Sequence, residues 1–227
     1  DDVLRLDIYL KEHNIQWKRL KYHRKPKLIV TSLDLFVGII VGAFLIKKYE
    51  IDIVHGRIFI GTLIGYVLKK LFNIKFLVDV RGLWVDERVE GDLWKKDGHL
   101  YYLFKYLEKI ILMNADGVVV LTEKLKSYLG SLVYMKTKNV VMDVIPTCVD
   151  MNKFNHNRLN HWIATDFKKK WQGKYIMVYL GSLGTVYMFK EMLIFFKTLR
   201  EYKSNSFLLV LSPTDSTFIR NTIIETC

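Results

Sequence analysis

Cysteine is scarce in this sequence, with only Cys148 and Cys227 among 227 residues. Two cysteines cannot build a disulfide framework, and neither lies in a C-x-x-C or cysteine–histidine spacing that would indicate a metal site. A reducing compartment is therefore expected, which favours a cytoplasmic protein. The sequence also lacks an initiator methionine and a basic-then-apolar signal segment. Because it stops within a helical pattern, "FIRNTIIETC", we expect it to be a fragment of a longer protein.

A long apolar run without a charge is also missing. The best candidate, residues 28–46, carries Asp34, and an aspartate at the centre of a bilayer costs roughly 2.5–3.5 kcal/mol. A strand and a helix of a soluble protein explain this run better than a membrane span does. We predict a strand over residues 28–31 and a buried helix over residues 33–49, with Ser32 as the N-cap of that helix.

Acidic residues are outnumbered by basic ones, 23 to 35, so the net charge is +12. Basic clusters lie at residues 21–26 and 168–174. Such a surface is compatible with nucleic acid, an anionic membrane surface or a phosphorylated substrate, and also with a basic face that is merely solvated. Nucleic acid is not expected, because the aromatic residues lie in apolar patterns rather than in a basic–aromatic stripe. Peripheral attachment to the inner membrane face stays open.

From residue 51 onward, short apolar runs alternate with longer segments of helical period. Strands are predicted at residues 51–55, 75–80, 117–121, 140–145, 175–180 and 207–211, and helices at residues 60–72, 100–113, 124–129, 162–171, 188–200 and 217–224. Strands that are apolar on both faces and alternate with helices build a parallel sheet covered on both sides. The predicted fold class is therefore α/β.

A break in this pattern near residue 146 predicts two domains. The stretch "IPTCVDMNKFNHNRLNH" contains Pro146, four asparagines and few aliphatic residues. We predict a first domain over residues 1–150, a crossover over residues 151–172 and the start of a second domain over residues 173–227.

Polar residues cluster at the carboxyl ends of the predicted strands, where ligands of open parallel sheets bind. They are His55, Arg57, Asp79, Arg81, Gly82, Thr122 and Glu123, and in the second domain Gly181, Ser182 and Gly184. Structural alternatives are a core histidine for His55, a buried pair of Asp79 with Arg81, and a first-turn carboxylate for Glu123. The shared edge of the sheet nevertheless predicts a ligand-binding site.

The stretch "GSLGTVYM" (181–188) links a predicted strand to a predicted helix. It matches neither the G-x-G-x-x-G turn of dinucleotide-binding proteins nor a phosphate loop with G-K-[ST]. Two readings remain: a glycine turn whose free backbone N–H groups bind a phosphate at the start of the helix, and a plain strand-to-helix turn.

Five stretches together resemble the retaining GT-B glycosyltransferases of family 4, over nearly the whole chain. They are "IDIVHGR" (51–57), "FLVDVRGLWVDERVEGDLW" (76–94), "LEKIILMNADGVVVLTEKLKSYL" (107–129), "VIPTCVDMNKF" (144–154) and "YLGSLGTVYMFKEML" (179–193). The third and fourth are the most specific, since they are similar to the family's "AD-VVVSE…VIPNGVD-F" passage between domains.

The resemblance implies two Rossmann-like domains, the second truncated here. The first would bind a glycan or lipid-linked acceptor and the second a nucleotide-sugar, with retention and without a cofactor or a D-x-D metal site. It implies Asp79 and Arg81 as catalytic residues. His55, Arg57, Gly82, Glu87, Thr122 and Glu123 would lie on the acceptor side, and Gly181, Ser182, Gly184 and Lys190 would bind the donor.

The sequence departs from the family in two places. "DVRG" (79–82) stands where the family often has T-x-H-G, so Arg81 replaces a histidine. Lys190 is no clean match for the Arg and Lys that clamp the donor phosphates. The family's first strand and the paired glutamates of its donor domain fall outside the sequence, so the chain alone is expected to be inactive. A nucleic-acid-binding α/β module and a GT-B relative such as a nucleotide-sugar epimerase or a phosphorylase are the alternatives.

Overall fold

The computed structural model describes residues 2–21, 23, 27–152, 154–155, 169–184 and 187–226. These residues form two compact units. The first contains the residues up to 82 together with residues 106–145, and the second contains residues 83–105 and the residues from 146 onward. The domain limits predicted above stay a prediction.

The first unit is built on a four-stranded parallel sheet. Its strands, in spatial as well as chain order, are β1 (Ile53–Arg57), β2 (Lys75–Val80), β3 (Gly117–Val120) and β4 (Val141–Val144). The core lies on the two central strands, where Phe76, Val78, Val118 and Val120 are at most 2% exposed. β2 matches its predicted bounds, whereas β1 ends two residues later than predicted, because Gly56 and Arg57 pair with Val78 and Asp79 of β2.

The helices precede, separate and follow the strands. They are α1 (Asp2–Glu12), α2 (Lys27–Tyr49), α3 (Ile58–Phe72), α4 (Trp84–Glu90), α5 (His99–Asn114), α6 (Glu123–Ser131), α7 (Val133–Lys138), α8 (Phe189–Tyr202) and α9 (Ser216–Thr226). None of these helices, as far as their residues are described, is long and apolar enough to cross a membrane.

The predicted strand at residues 28–31 is wrong, because α2 is one continuous helix and Ser32 lies inside it. Further along, this helix packs closely against α3. A Cβ atom on Gly38 would lie 2.7 Å from Ile64, and one on Gly42 would lie 2.6 Å from Leu68. Glycines four residues apart share one helix face and let the two helices approach closely. The helix is not buried as predicted, because Leu33, Phe36 and Phe44 are 56–61% exposed.

Asp116, which directly precedes β3, is hydrogen-bonded to β2 and to α3. Its Oδ2 atom accepts hydrogen bonds from the Phe76 N–H at 2.7 Å and from Lys69 Nζ at 2.5 Å. Partial burial raises the pKa of Asp116, but hydrogen bonds from Lys69 and Phe76 and the charges of Lys69 and Lys75 outweigh that effect and lower the pKa overall. In the "NAD" motif this aspartate therefore has a structural role.

Residues 83–105 carry an aromatic cluster between α4 and α5. Trp94 lies 5.4 Å from Trp84 and 4.8 Å from Phe104, measured between ring centroids. Across the same pair of helices, Asp86 Oδ2 accepts a hydrogen bond of 2.8 Å from Lys105 Nζ. The sequence did not predict α4, because its seven residues are largely charged and too few to show a period.

The second sheet has two parallel strands, β5 (Tyr175–Leu180) and β6 (Ser206–Leu211). Leu183, Phe189 and Leu193 are buried, and Leu208, Val210 and Ile219 pack against them. α8 and α9 therefore cover one face of this sheet. The predicted helix at residues 162–171 lies mostly outside the described residues.

Candidate functional site

The carboxyl edge of the first sheet brings together three residues that the sequence predicted for the site. Arg57 pairs in register with Asp79, and His55 lies two residues before Arg57 on β1. Because side chains alternate along a strand, all three project from the same face of the sheet. His55 and Arg57 lie within β1 rather than beyond its end, since the strand extends to residue 57.

Two arginines and a histidine lie beside the Asp79 carboxylate. His55 Nε2 and Arg57 Nε lie 3.8 Å and 3.7 Å from its Oδ2 atom, and Arg81 Nη1 lies 3.7 Å from its Oδ1 atom. The Asp79 side chain is only 7% exposed, and its Oδ1 atom is buried without a hydrogen-bond partner among the described residues. The two arginines offset part of the desolvation cost of this buried carboxylate.

The three residues around Asp79 differ in how exposed their side chains are. Arg57 and His55 are 60% and 52% exposed, whereas Arg81 is 25% exposed. We predicted from the sequence that the guanidinium of Arg81 would either bind a ligand or pair with Asp79, and the structure places it within ion-pair distance of Asp79. Arg57 and Arg81 thus both lie within ion-pair distance of the same buried carboxylate.

The junction between β1 and α3 is strained. No loop separates the two elements, since Arg57 ends the strand and is also the N-cap residue of the helix. Ile58 follows with a φ of +60°, which is an outlier for a β-branched residue. Sequence reasoning missed this feature. The only signal was a polar "HGR" followed directly by an apolar helical pattern.

The remaining residues predicted for the acceptor side lie at helix starts or, for Gly82, shortly before one. The Thr122 side chain accepts a hydrogen bond of 3.1 Å from the Leu125 N–H, so Thr122 is the N-cap of α6, and Glu123 is exposed in its first turn. Gly82 follows Arg81 after β2, and Glu87 is exposed in the first turn of α4. These positions suit helix stability, and a part in ligand binding stays a prediction.

In the second unit, the glycine loop follows β5. Gly181 has a φ of +151°, which favours glycine. The N–H groups of Gly181 and Leu183 already donate to Leu211 O at 3.0 Å and to Thr214 Oγ1 at 2.9 Å. The phosphate-binding interpretation expected free N–H groups in this loop, but at these two positions the N–H groups are already hydrogen-bonded within the protein. Thr214, which the sequence did not suggest, holds the loop from the β6–α9 connection.

The three other residues predicted for the donor side make contacts within the second unit. The Ser182 carbonyl accepts a hydrogen bond of 2.6 Å from the Tyr179 hydroxyl. Lys190, in the first turn of α8, forms an ion pair of 3.3 Å with Glu225 of α9, and both side chains are exposed. Gly184 accepts a hydrogen bond from the Tyr187 N–H at 3.1 Å. The loop is thus ordered around Ser182 and Gly184 by contacts within the unit.

Three solved structures are similar to this chain, and each aligns with 97% of it. A glycosyltransferase from Rickettsia africae ESF-5 matches with a TM-score of 0.62 at 20% identity, over 53% of its own length. HepE from Anabaena, in complex with UDP and glucose, matches with a TM-score of 0.59 at 8% identity, over 54% of its length. A protein from Listeria monocytogenes described as a UDP-N-acetylglucosamine 2-epimerase matches with a TM-score of 0.56 at 12% identity, over 54% of its length.

The chain has a GT-B fold. This agrees with the predicted fold class, α/β of the GT-B type with Rossmann-like parallel sheets. The chain spans about half the length of the structures it matches. No protein-family model matches it, and no curated protein is similar to it in sequence. In this GT-B chain, Asp79 and the neighbouring His55, Arg57 and Arg81 lie at the carboxyl edge of the first sheet.

Proposed function

We propose that the full-length protein transfers a sugar from a nucleotide-sugar to a glycan or lipid-linked acceptor, with retention and without a metal ion, as in glycosyltransferase family 4. The observation that carries this proposal is the buried Asp79 among His55, Arg57 and Arg81, at the edge of the sheet where ligands of such folds bind. HepE, which shares the fold, binds UDP and glucose. Such a transfer suits polysaccharide biosynthesis.

The chemistry requires a site for an anion. In the reaction, the bond from the anomeric carbon to the diphosphate breaks, the acceptor oxygen bonds to that carbon on the same face, and the acceptor hydroxyl loses its proton. The departing nucleoside diphosphate gains negative charge, which N–H groups and cations stabilise. In our proposal the loop at residues 181–184 and Lys190 lie on the donor side, and the residues around Asp79 lie on the acceptor side.

One alternative has support from a specific observation, namely the fold shared with the Listeria protein. Under this alternative, the protein would invert a carbon of the nucleotide-sugar rather than transfer the sugar. The two reactions differ in their products. Transfer releases a free nucleotide and attaches the sugar to an acceptor, whereas epimerisation yields an isomeric nucleotide-sugar.

We expect the full-length protein to release nucleotide from a UDP-sugar only when an acceptor is present, and the 227-residue chain alone to release none. Product analysis by NMR would report the anomeric configuration, and retention is the expected result. Acceptor-independent formation of an isomeric UDP-sugar would contradict transfer in favour of epimerisation. Donor-dependent turnover by the 227-residue chain alone would show that the donor site lies elsewhere than proposed.

We also propose that the first unit docks on an anionic membrane surface through α2. An exposed apolar stripe runs along this helix with helical spacing, formed by Leu33, Phe36, Ile40 and Phe44, which are 51–61% exposed. Lys47 and Lys48 in the last turn of α2 supply positive charge beside it. Apolar side chains flanked by lysines suit the boundary between headgroups and acyl chains of anionic lipids.

This proposal predicts that the chain co-sediments with anionic vesicles, more weakly with neutral vesicles, and more weakly at high salt. The double variant Phe36→Ser/Phe44→Ser should reduce co-sedimentation. Leu71→Ser is the matched control, because Leu71 is equally exposed, at 62%, but lies at the end of α3. Equal pelleting with neutral and anionic vesicles at low salt would contradict the electrostatic part of the proposal.

A further inference from the structure

A groove in the second unit is lined by α8, β6 and one residue of α9. Its volume is about 960 Å³, which is within the usual size of ligand pockets, about 300–1,000 Å³. Its described lining residues include none of those predicted for the donor side. The groove is therefore a separate feature of this unit.

The wall that α8 contributes to this groove is apolar at one end and cationic at the other. Leu193 and Phe196 line the groove in the middle of the helix, and Lys197 and Arg200 follow toward its end. Their spacings of three and four residues place the four side chains on one face of the helix. Lys197 and Arg200 are both exposed.

The wall that β6 contributes has the same polarity. Ser206 begins this strand, and Leu208 and Val210 follow it on the same face, because side chains alternate along a strand. Since a short turn joins the end of α8 to the start of β6, Ser206 lies at the cationic end of the groove. Lys174 lines the same end, because its neighbour Tyr175 pairs in register with Ser206.

Ser206 supplies an independent observation at the cationic end. It is only 8% exposed, and its Oγ atom is buried without a hydrogen-bond partner among the described residues. A buried hydroxyl without a partner is costly, and few proteins retain one without a reason. A hydroxyl donates as well as accepts, so the oxygen of an anion is a suitable partner for it.

We infer that this groove binds an anionic membrane lipid, with the lipid phosphate at the cationic end and an acyl chain along the apolar end. Guanidinium and ammonium groups bind phosphate oxygens, and basic pockets are typical sites for anionic headgroups. The described lining residues include three cations, Lys174, Lys197 and Arg200, but only one carboxylate, Glu201. The positive surplus complements a phosphate, and the apolar end complements a hydrocarbon chain. This inference does not rest on the proposed function.

The first test uses lauroyl lysophosphatidic acid below its critical micelle concentration as the probe, in calorimetric titrations of the full-length protein. Arg200→Gln should weaken its binding about tenfold. Arg220→Gln is the matched control, since Arg220 is exposed on α9 and is not among the described lining residues; it should change binding less than about twofold. No binding by the unaltered protein, or equal binding by Arg200→Gln, would overturn the inference.

Two further probes separate the phosphate from the chain. Lauroyl lysophosphatidylcholine, which has no net charge, and inorganic phosphate, which has no chain, should each bind at least about tenfold more weakly than lysophosphatidic acid. Equal binding of the choline lipid would overturn the role of the cations. Equal binding of inorganic phosphate would overturn the assignment to a lipid.

A matched pair of phenylalanine variants tests the apolar end. Phe196→Ser should weaken binding of lysophosphatidic acid about tenfold. Phe195→Ser should leave it within about twofold, because Phe195 is 60% exposed on the same helix and is not among the described lining residues. Phe36→Ser/Phe44→Ser should also leave this titration unchanged, which separates the groove from the surface of α2. Equal effects of Phe195→Ser and Phe196→Ser would overturn the placement of the chain.

Ser206→Ala distinguishes a ligand-binding hydroxyl from a structural one. Since the hydroxyl has no partner among the described residues, its removal should leave the melting temperature unchanged or raise it, while binding of lysophosphatidic acid weakens about threefold to tenfold. Unchanged binding, with or without a lower melting temperature, would overturn the role of Ser206. Far-UV circular dichroism of every variant checks the fold, and the Arg200 variant decides the cationic end independently.

Discussion

Arg81→Ala in the full-length protein is expected to lower kcat/KM for glycosyl transfer about 100-fold or more, and Arg81→Lys nearly as much. A lysine provides one point charge, whereas the planar guanidinium can hold Asp79 and a ligand in a fixed orientation at once. The free energy of unfolding should fall by only about 1 kcal/mol, because Arg57 and His55 remain beside the Asp79 carboxylate after the substitution.

The activity and the melting temperature should be measured on the same preparations of both Arg81 variants. If Arg81 served only to pair the buried Asp79, its loss would destabilise the protein by roughly 3–5 kcal/mol. A large fall in melting temperature, with unchanged activity per folded molecule, would therefore refute the functional role of Arg81.

Gly56→Ala is expected to destabilise the chain by about 3 kcal/mol. A Cβ atom at this position would lie 2.6 Å from Thr62 Cα and 2.9 Å from Gly61 O. Both atoms belong to the backbone of α3, which cannot move aside as a flexible side chain can, so the overpacking penalty should reach the upper part of its usual range. The strand would have to separate from the helix at the residue next to Arg57.

Gly61→Ala is the control for this experiment, since among the described residues nothing beyond the neighbouring backbone of its own helix lies within 4 Å of a Cβ placed there. It lies in the same helix and should be neutral or stabilise the chain by about 0.5–1 kcal/mol through helix propensity. Urea unfolding of both variants measures the difference. Equal stability of Gly56→Ala and the unaltered chain would show that β1 and α3 are not packed as described.

The sequence predicts the bounds of the strands better than the secondary structure near the start of the chain, for a physical reason. β2 and β5 have apolar residues on both faces, so the length of each apolar run in the sequence indicates where the strand begins and ends. Both strands match their predicted bounds. The end of β1 depends on pairing with β2, which a local pattern cannot show. Residues 28–31 resemble a strand by composition, yet they form the start of one continuous helix, α2.

The candidate site was predictable in composition and location but not in geometry. Placing His55, Arg57, Asp79 and Arg81 at one edge follows from strand order in a parallel sheet. The separations of 3.7–3.8 Å around Asp79 depend on side-chain torsions and on the late end of β1, neither of which the sequence specifies. The hydrogen bond from Leu183 to Thr214 joins residues 31 positions apart, which is beyond any local pattern.

The absence of a loop between β1 and α3 has a consequence for conformational entropy. A ligand that binds a residue on a flexible loop must order the backbone as well as the side chain, at roughly 1–2 kcal/mol for each residue. Around Arg57 that ordering has already occurred during folding, since the residue belongs to a strand and caps a helix at the same time. Only the torsions of an exposed side chain remain to be fixed, so a few contacts at this position can yield useful affinity.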